Sequence, residues 1–363
     1  MESTLRYQPA FDGLRGISIL AVMAFHNGVL RGGYLGVDIF FTLSGFLITT
    51  LLLQEHARSG TINRTDFYAR RALRLLPAAT AAILVCGLAT LVTIPERQRL
   101  SASLFVLAVF LYVGNWAAIR GYHQGILGHT WSLSIEEQFY LVWPPVLKRL
   151  LCVISVRTLF WGLAATAVAA IVYRLVSAAS GAGGRYLYLG TDMHGDPLLI
   201  GCAAACWLSW RGRAPCTLGA VGSSRRWRVL GVAAFAVTAV SLIVVDLQAY
   251  FSYLVSTSCV AVATALVVLE TFMPGSYLVR VLNVRALVWV GRRSYALYLW
   301  HYPIFILGNA LWSFQMEFRP ENVLPCWLAS LIVADLSFRL IERPALRLKS
   351  RLRAHAPAVA IAS

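Results

Sequence analysis

Long apolar runs separated by short polar breaks form most of this 363-residue chain. Several runs reach the roughly 20 residues that a helix needs to cross the hydrocarbon core of a bilayer. None shows the alternation of apolar and polar residues that is typical of a half-buried strand. The pattern predicts helices over these runs, which lie at about residues 14–30, 35–54, 72–94, 102–118, 135–152, 156–177, 195–210, 228–246, 250–271, 286–312 and 323–341.

Clusters of basic residues occupy the breaks between the runs, and such clusters stay on the cytoplasmic side of a membrane. The interval from Arg74 to Lys148 holds three apolar runs, an odd number, so one of the three cannot span. We expect segment 135–148 to be the exception, because it contains two glutamates and a Pro-Pro pair. The clusters are Arg58, Arg64, Arg70, Arg71 and Arg74; Lys148, Arg149 and Arg157; Arg211, Arg213, Arg225, Arg226 and Arg228; Arg280, Arg285, Arg292 and Arg293; and Arg343, Arg347 and Lys349.

The pattern as a whole predicts an all-α polytopic membrane bundle of about ten transmembrane helices with both termini in the cytoplasm. We expect one membrane-embedded domain over residues 8–346 and a disordered cytoplasmic tail over 347–363. No repeat of fixed period is present. We expect no cleavable signal peptide, because the first apolar segment carries charged residues and lacks a small-residue cleavage site.

Composition agrees with a membrane protein and excludes other classes. Hydrophobic residues make up 58% of the chain and the mean hydropathy is +0.67, too apolar for an ordinary soluble domain. The net charge of +16 lies in the breaks between apolar runs, which argues against nucleic-acid binding. The seven cysteines include no CxxC pair, so we expect small buried side chains, with neither a zinc site nor a disulfide framework.

The first apolar segment, FDGLRGISILAVMAFH at 11–26, carries Asp12, Arg15 and His26. Ionisable side chains at membrane depth are costly and usually serve function. At about 100° per residue Arg15 and His26 share one helix face, and they lie roughly 16 Å apart along the axis. In one interpretation the Arg15 side chain extends to the cytoplasmic interface and His26 forms a hydrogen bond with a neighbouring helix. In the other, Arg15 holds an anionic ligand and His26 is a general base.

The next segment, GGYLGVDIFFTLSGFLI at 32–48, combines glycines with one carboxylate. Its glycines favour close helix packing. Asp38 either caps a helix or orients an imidazole. Ser44 is a weaker candidate nucleophile, since no adjacent base is visible.

Two further segments carry charge beside aromatic residues. In DFYARRALRLLP at 66–77, the three arginines form a basic face near Tyr68 that suits either anionic lipid or phosphate groups. In GHTWSLSIEEQFYLVWP at 128–144, the two glutamates point about 100° apart, so one of them at most faces a given cavity. The charged residues of the two segments are Arg70, Arg71, Arg74, Glu136 and Glu137.

Two later segments contain polar residues for which more than one role fits the sequence. In TDMHGDPLLIG at 191–201, Asp192, His194 and Asp196 fit a metal site poorly, and Asp196 ahead of Pro197 is suited to helix capping. In VGRRSYALYLWHYP at 290–303, His301 lies at membrane depth and either packs or lines a cavity.

Taken in order, these motifs resemble the acyltransferase-3 family of integral membrane O-acyltransferases over residues 8–346. The most specific part is the Arg15-to-His26 spacing within FDGLRG…H. It is followed by GVDIFFTLSGFLI, FYARRALRLLP, WSLSIEEQFYLVWP, SYALYLWHYP and IERP. Relatives often have an arginine after Thr-Asp, where this sequence has Met193 and His194. Many relatives continue into a periplasmic esterase-like domain, so we expect this chain to act alone or with a separate partner.

The resemblance implies transfer of an acetyl or other short acyl group from cytoplasmic acyl-CoA to a sugar hydroxyl, in a bacterial plasma membrane. Acyl-CoA would be a co-substrate, with no permanently bound cofactor and no metal. We assign catalysis to His26, Arg15, Asp38 and Glu136, and donor binding to Arg15, Arg70, Arg71, Arg74 and Tyr68. The candidates for acceptor binding are Asp12, Ser44, His129, Trp131, Glu137 and His301.

In the mechanism we expect, the CoA phosphates bind the arginine face while the pantetheine arm follows the Arg15–His26 stripe. His26 then removes the proton of an acceptor hydroxyl, which attacks the thioester. A relay through an acyl-histidine is the second option. A transporter of a glycan or small molecule is the main alternative, since ionisable residues and broken helices also mark permeation paths. A structural subunit is a third, but it leaves His26 without a purpose.

Overall fold

A computed structural model describes residues 7–211, 224–247, 250–313 and 320–347. Within these ranges the chain is helical and contains no strand, which confirms the all-α prediction. The predicted tail at 347–363 lies, apart from its first residue, outside the described residues. The α-helices are α1 Pro9–His26, α2 Gly36–Ser59, α3 Arg64–Thr93, α4 Glu96–Phe110, α5 Gly114–Ile119, α6 Trp131–Leu151, α7 Val156–Ala179, α8 Gly184–Leu189, α9 Asp196–Trp210, α10 Ser224–Val244, α11 Tyr250–Glu270, α12 Leu278–Leu282, α13 Arg285–Arg292, α14 Ser294–Ser313 and α15 Pro320–Ser337.

Six helical segments of the described chain have the length and apolar composition needed to cross a membrane. Four of them are less than half buried and present apolar side chains to the outside. On α7, for example, Val168, Val172 and Val176 recur every four residues and are each more than half exposed. These rows mark the lipid-facing surface of a membrane protein. The segments are Gly33–Ser59, Arg64–Thr93, Val156–Ala179, Arg225–Val244, Tyr253–Glu270 and Glu321–Arg347.

Within the described residues, these six segments meet the requirements for a membrane span. The total of ten transmembrane helices therefore remains a prediction. In the interval with three apolar runs, the run at 102–118 is broken, because α4 ends at Phe110 and α5 begins at Gly114. Between them Tyr112 has a φ of 55°, a conformation that interrupts a helix. The suspected segment 135–148 lies inside α6, which continues through Pro144 and Pro145.

Glycines allow α2 and α9 to pack with their backbones almost touching. A Cβ atom on Gly45 would lie 2.1 Å from the carbonyl oxygen of Leu198, and one on Gly201 would lie 2.1 Å from that of Thr42. Any larger side chain would push the helices apart. The packing interpretation of the glycines in segment 32–48 is thus confirmed at Gly45.

The turn between α2 and α3 is fixed by local chemistry. Helix α2 ends at Ser59, and the Gly60 that caps it has a φ of 70°, which suits a residue without a Cβ atom. The Asn63 side chain then accepts a hydrogen bond from the backbone N–H of Asp66 and caps α3. The Glu55 carboxylate accepts the backbone N–H of Asn63 at 2.8 Å. This hairpin places the arginines of α3 beside the end of α2.

Candidate active site

A cavity of about 400 Å³ lies between α1, α2, α3, α6 and α14. Three arginines from two helices line it, and we call it the arginine cavity. Its polar and charged lining is completed by side chains of five helices. These residues are Asp12, Arg15, Ser44, Arg71, Arg74, Ser132, Glu136, Tyr140, Ser294, Tyr295 and Tyr298.

Helix α1 brings Arg15 to the wall of this cavity. The guanidinium of Arg15 donates to the Asp12 carboxylate at 3.3 Å, one helical turn earlier. The Tyr7 hydroxyl donates to the same carboxylate at 2.6 Å and accepts from Arg292 at 2.7 Å. Partial burial, together with the hydrogen bond to Asp12, raises the pKa of the Tyr7 phenol above its ordinary value. Tyr7 therefore stays neutral and keeps donating at physiological pH.

Helix α3 contributes Arg71, which is held by α6. Its guanidinium carbon lies 3.5 Å from the centroid of the Tyr140 ring, a cation–π contact, and its nitrogen lies 4.0 Å from Glu136. Glu136 also accepts hydrogen bonds from Tyr140 and from Ser44. Tyr140 and Glu136 are four residues apart on α6 and so share one face. The geometry fixes Arg71 with its charge directed at the cavity.

A second cavity of about 430 Å³ adjoins the first at the α2–α3 hairpin, and we call it the basic groove. Arg71 and Arg74 line both spaces, so the two adjoin along α3. Arg70 also lines the groove, where it lies 3.6 Å from Glu55, and Arg58 contributes from the end of α2.

The electrostatic balance of the arginine cavity favours an anion. Its charged lining consists of three guanidinium groups and the carboxylates of Asp12 and Glu136. Asp12 and Glu136 lie within 4.0 Å of Arg15 and Arg71, respectively, whereas Arg74 has no ion pair with any described residue. A guanidinium fork that is not matched by a carboxylate can bind phosphate through two hydrogen bonds.

Ser132 and Tyr298, which are hydrogen-bonded to each other, both line the arginine cavity. We call this pair the Ser132–Tyr298 partition. The Tyr298 hydroxyl also donates to the backbone carbonyl of His129 at 2.7 Å. On the far side, the Tyr298 ring lies 5.4 Å from the His129 ring and 5.7 Å from the His301 ring. Tyr298 thus separates the cavity from a group of histidines.

That group, the histidine cluster, consists of His26, His129 and His301. The His26 ring lies 5.1 Å from the His301 ring, and the His301 ring lies 5.5 Å from the His129 ring. His129 and His301 are buried, whereas His26 is half-buried at the end of α1. His26 lines neither the arginine cavity nor the basic groove. Arg15 and His26 therefore serve different compartments of one site, at opposite ends of α1.

Asp38 contacts an imidazole, which agrees with one of the two interpretations drawn from the sequence. The imidazole is that of His194. The Asp38 carboxylate and the His194 Nε2 atom lie 2.8 Å apart, and both side chains are buried. The Nδ1 atom of His194 is 2.8 Å from the Tyr188 carbonyl oxygen. Both ring nitrogens of His194 are thus engaged. Asp38 lines neither the arginine cavity nor the basic groove.

Asp196 does not cap α9, contrary to our expectation, since the capping position is Gly195 and no side chain caps the helix. Its carboxylate instead accepts from Arg174 at 2.6 Å and from Ser258 at 2.6 Å. Both Arg174 and Asp196 are fully buried. In the part of the chain that the structure describes, no group of three or more His, Cys, Asp or Glu residues is placed to hold a metal ion.

The remaining candidates lie around the two cavities. Glu137 lines neither, so Glu136 is the glutamate that faces the arginine cavity. Tyr68 also lies outside both and donates to the Leu141 carbonyl at 2.7 Å. Trp131 is buried against His194, with ring centroids 5.3 Å apart. The roles assigned to these residues remain predictions.

Tyr140 and Tyr298 belong to the site, although neither was among the candidate residues predicted from the sequence. Tyr140 lies four residues after Glu136 and therefore on the same helix face. Tyr298 lies three residues before His301, again on one face. Aromatic residues at this density are also typical of a membrane interface.

Comparison with known proteins gives the family. The model of the acyltransferase-3 family, described as an acyltransferase domain, matches residues 8–337. The chain belongs to the acyltransferase-3 family. This match confirms the resemblance drawn from the motifs and places the chain among acyltransferases, which favours the enzyme over the transporter and the structural subunit.

Curated relatives agree with that assignment. The chain is similar to O-acetyltransferase OatA from Staphylococcus aureus strains NCTC 8325 / PS 47 and COL. Each is 32% identical over 349 residues, which cover 93% of this chain. The aligned part makes up 57% of each relative, so the chain spans little more than half their length. No solved structure gives a significant match.

Proposed function

We propose that this protein is a membrane O-acyltransferase that moves an acetyl or other short acyl group from cytoplasmic acyl-CoA to a hydroxyl of a sugar. The acceptor would belong to an envelope or exported glycan, or to a glycosylated small molecule. The observation that carries the proposal is the arrangement of Arg15, Arg71 and Arg74 around one cavity that adjoins a basic groove. The family and its O-acetyltransferase relatives support it.

The donor would bind at the arginines. Acyl-CoA carries phosphates at one end and a thioester at the end of a long, flexible arm. The basic groove, which is lined by Arg58, Arg70, Arg71 and Arg74, would hold the phosphates. The arm would then extend into the arginine cavity along α1. These arginines belong to clusters that face the cytoplasm in the proposed topology, where acyl-CoA is available.

The acceptor would approach from the other end of α1, where His26 is half-buried. His26 would take the proton of the acceptor hydroxyl as the hydroxyl oxygen attacks the thioester carbonyl. When the carbon–sulfur bond breaks, the CoA thiolate leaves and takes the proton from His26. The atoms and charges balance without a metal or a redox partner. Positioning of the weakly nucleophilic hydroxyl supplies much of the rate.

The acyl group must pass the Ser132–Tyr298 partition in this scheme. Arg15 and His26 lie roughly 16 Å apart along α1, and the residues that line the arginine cavity include Tyr298 but not His26. Direct transfer therefore requires the Tyr298 side chain to turn aside when the donor is bound. A relay through acyl-His26 requires the same movement and differs only in forming an acyl–nitrogen bond first.

The test measures CoA thiol release and acyl transfer by purified protein in lipid nanodiscs, with acetyl-CoA and a panel of sugar acceptors. The panel is chosen by mass spectrometry of glycans from a deletion strain, which should lose an acyl increment. We expect His26→Ala to abolish transfer. His123→Ala is the matched control, because His123 contributes its backbone N–H to a hydrogen bond with Ser101.

We expect the His123→Ala variant to retain wild-type activity. A wild type that consumes no thioester and a deletion strain with unchanged acylation would overturn the proposal. Undiminished acyl transfer by the His26→Ala variant would show that His26 is not the general base.

A further inference from the structure

The side chains of His26 and His301 form a hydrogen bond, although 275 positions separate them in the chain. The Nδ1 atom of His26 lies 3.0 Å from the Nε2 atom of His301. The two rings are tilted by 40°. A neutral imidazole has one nitrogen that donates and one that accepts, so this contact has a direction that the surroundings must set.

The surroundings of His301 set that direction. Its Nδ1 atom lies 2.8 Å from the carbonyl oxygen of Leu297 and 3.0 Å from that of Tyr298. Carbonyl oxygens only accept hydrogen bonds, so Nδ1 of His301 must carry the proton. In the neutral ring the Nε2 atom is then the acceptor. His301 is fully buried and lies against the rings of Tyr298 and Phe305, which hold it in place.

The consequence for His26 follows directly. Since Nε2 of His301 accepts, Nδ1 of His26 must donate, and the lone pair of His26 lies on Nε2. The contact with His301 uses Nδ1 and leaves Nε2 outside it. We propose that His301 is a positioning residue that holds His26 in the tautomer protonated at Nδ1, so that Nε2 is the atom that takes the acceptor's proton.

The catalytic meaning of this inference rests on the proposed function, but the tautomer itself does not. An imidazole free in water favours the opposite tautomer, protonated at Nε2, which could not serve as a base through that atom. His301 would act on His26 as the buried carboxylate acts on histidine in a serine-protease triad. Here a neutral imidazole, itself fixed by two backbone carbonyls, provides the acceptor.

The first experiment reads the tautomer without using activity. Protein labelled with ¹⁵N-histidine in nanodiscs is studied by two-bond ¹H–¹⁵N correlation at a pH where the histidines are neutral, and His26→Gln assigns the signals. We expect His26 protonated at Nδ1 in the wild type and in His301→Gln, whose amide oxygen can accept in place of Nε2. We expect the Nε2-protonated form in His301→Leu, which has no acceptor.

His129→Leu is the matched control for this experiment. It removes a buried ring that lies 5.5 Å from His301 but makes no hydrogen bond to His26, so the tautomer should stay unchanged. Protonation of wild-type His26 at Nε2, or the same tautomer in His301→Leu as in the wild type, would overturn the inference. Should His301→Leu fail to fold, the wild type and His301→Gln still decide it.

The second experiment links the tautomer to turnover. We expect His301→Leu to lower kcat by about 100-fold or more with KM for acetyl-CoA unchanged, as expected for a wrong tautomer. His301→Gln should recover most of the loss. If the wild type is active and His301→Leu equals it, the inference fails and the proposed function stands. If the tautomers are as expected but no thioester is consumed, the proposed function fails and the inference about His301 stands.

Discussion

The guanidinium of Arg174 and the carboxylate of Asp196 meet at 2.6 Å with both side chains fully buried. Arg174 also donates to the carbonyl oxygens of Met193 and Leu254 and to the hydroxyl of Ser258. The pair therefore connects α7, α9 and α11. Its position in the fold marks it as structural, because neither residue lines the arginine cavity or the basic groove.

Replacing Arg174 by methionine should destabilise the protein by about 3–5 kcal/mol, because the buried Asp196 carboxylate loses its cationic partner and keeps only the hydrogen bond from Ser258. Thermal unfolding in detergent, followed by size-exclusion chromatography, measures the change. Arg157→Met on the same helix is the control, since Arg157 is exposed. Equal melting temperatures for the two variants would contradict the prediction.

Replacing Arg74 by methionine should raise KM for acetyl-CoA by about 10- to 100-fold, as expected for the loss of a charged hydrogen bond to phosphate. The same variant should behave like the wild type with acetyl-pantetheine, which carries no phosphate. Initial rates with both donors measure the difference. Arg64→Met, at the exposed start of α3, should leave both KM values unchanged. A uniform loss with both donors would show that Arg74 does not bind the phosphates.

Replacing Glu136 by glutamine should lower kcat/KM for the donor by about 10-fold or more, because the charge that holds Arg71 is lost. Glu137→Gln introduces the same change on the neighbouring face of α6, outside the arginine cavity. We expect a clearly smaller loss there. Steady-state kinetics of the two purified variants make the comparison, and a larger effect at Glu137 would reverse our assignment of the cavity-facing glutamate.

Replacing Tyr298 by alanine should raise the hydrolysis of acetyl-CoA in the absence of any acceptor several-fold. The large ring and its two hydrogen bonds separate the arginine cavity from the histidine cluster, and its loss would admit water to the thioester. Thiol release without acceptor measures the effect. Ser132→Ala removes one hydrogen bond but keeps the ring, so its hydrolysis should stay near that of the wild type. Low hydrolysis in both variants would show that Tyr298 does not exclude water.

Replacing Gly45 by alanine should destabilise the α2–α9 contact by about 1–3 kcal/mol, because the new methyl group would overlap the Leu198 carbonyl. Gly162→Ala is the control, since a Cβ atom there meets nothing within 4 Å. Its melting temperature should equal or exceed that of the wild type. Thermal unfolding compares the two, and equal destabilisation would exclude a specific role for the close approach.

The parts of the site that lie within one helix could be predicted from the sequence. The spacing of Arg15 and His26 predicts one helix face and a separation of roughly 16 Å, and both residues do lie within the single helix α1, because helix geometry is local. The same reasoning showed that only one of Glu136 and Glu137 would face the cavity. The all-helical fold followed from the apolar runs for the same reason.

The contacts between distant segments could not be predicted in this way. Asp38 was expected to cap or to orient an imidazole, but the identity of His194 as its partner depends on how α2 and α9 pack. Arg174 stands inside an apolar run, yet nothing near it in the sequence indicates Asp196. The bond between His26 and His301 likewise joins the first and fourteenth helices. Such pairs depend on tertiary packing, which periodicity does not record.

The Ser132–Tyr298 partition also bears on the electrical integrity of the membrane. A bilayer maintains an ion gradient only if no unbroken file of water runs through its proteins. A polar chamber lined with arginines would start such a file, and a half-buried histidine at the far end would finish it. In the proposed scheme the Tyr298 ring would keep the two apart while no donor is bound, so that the protein could hold these charged groups without opening a path for ions.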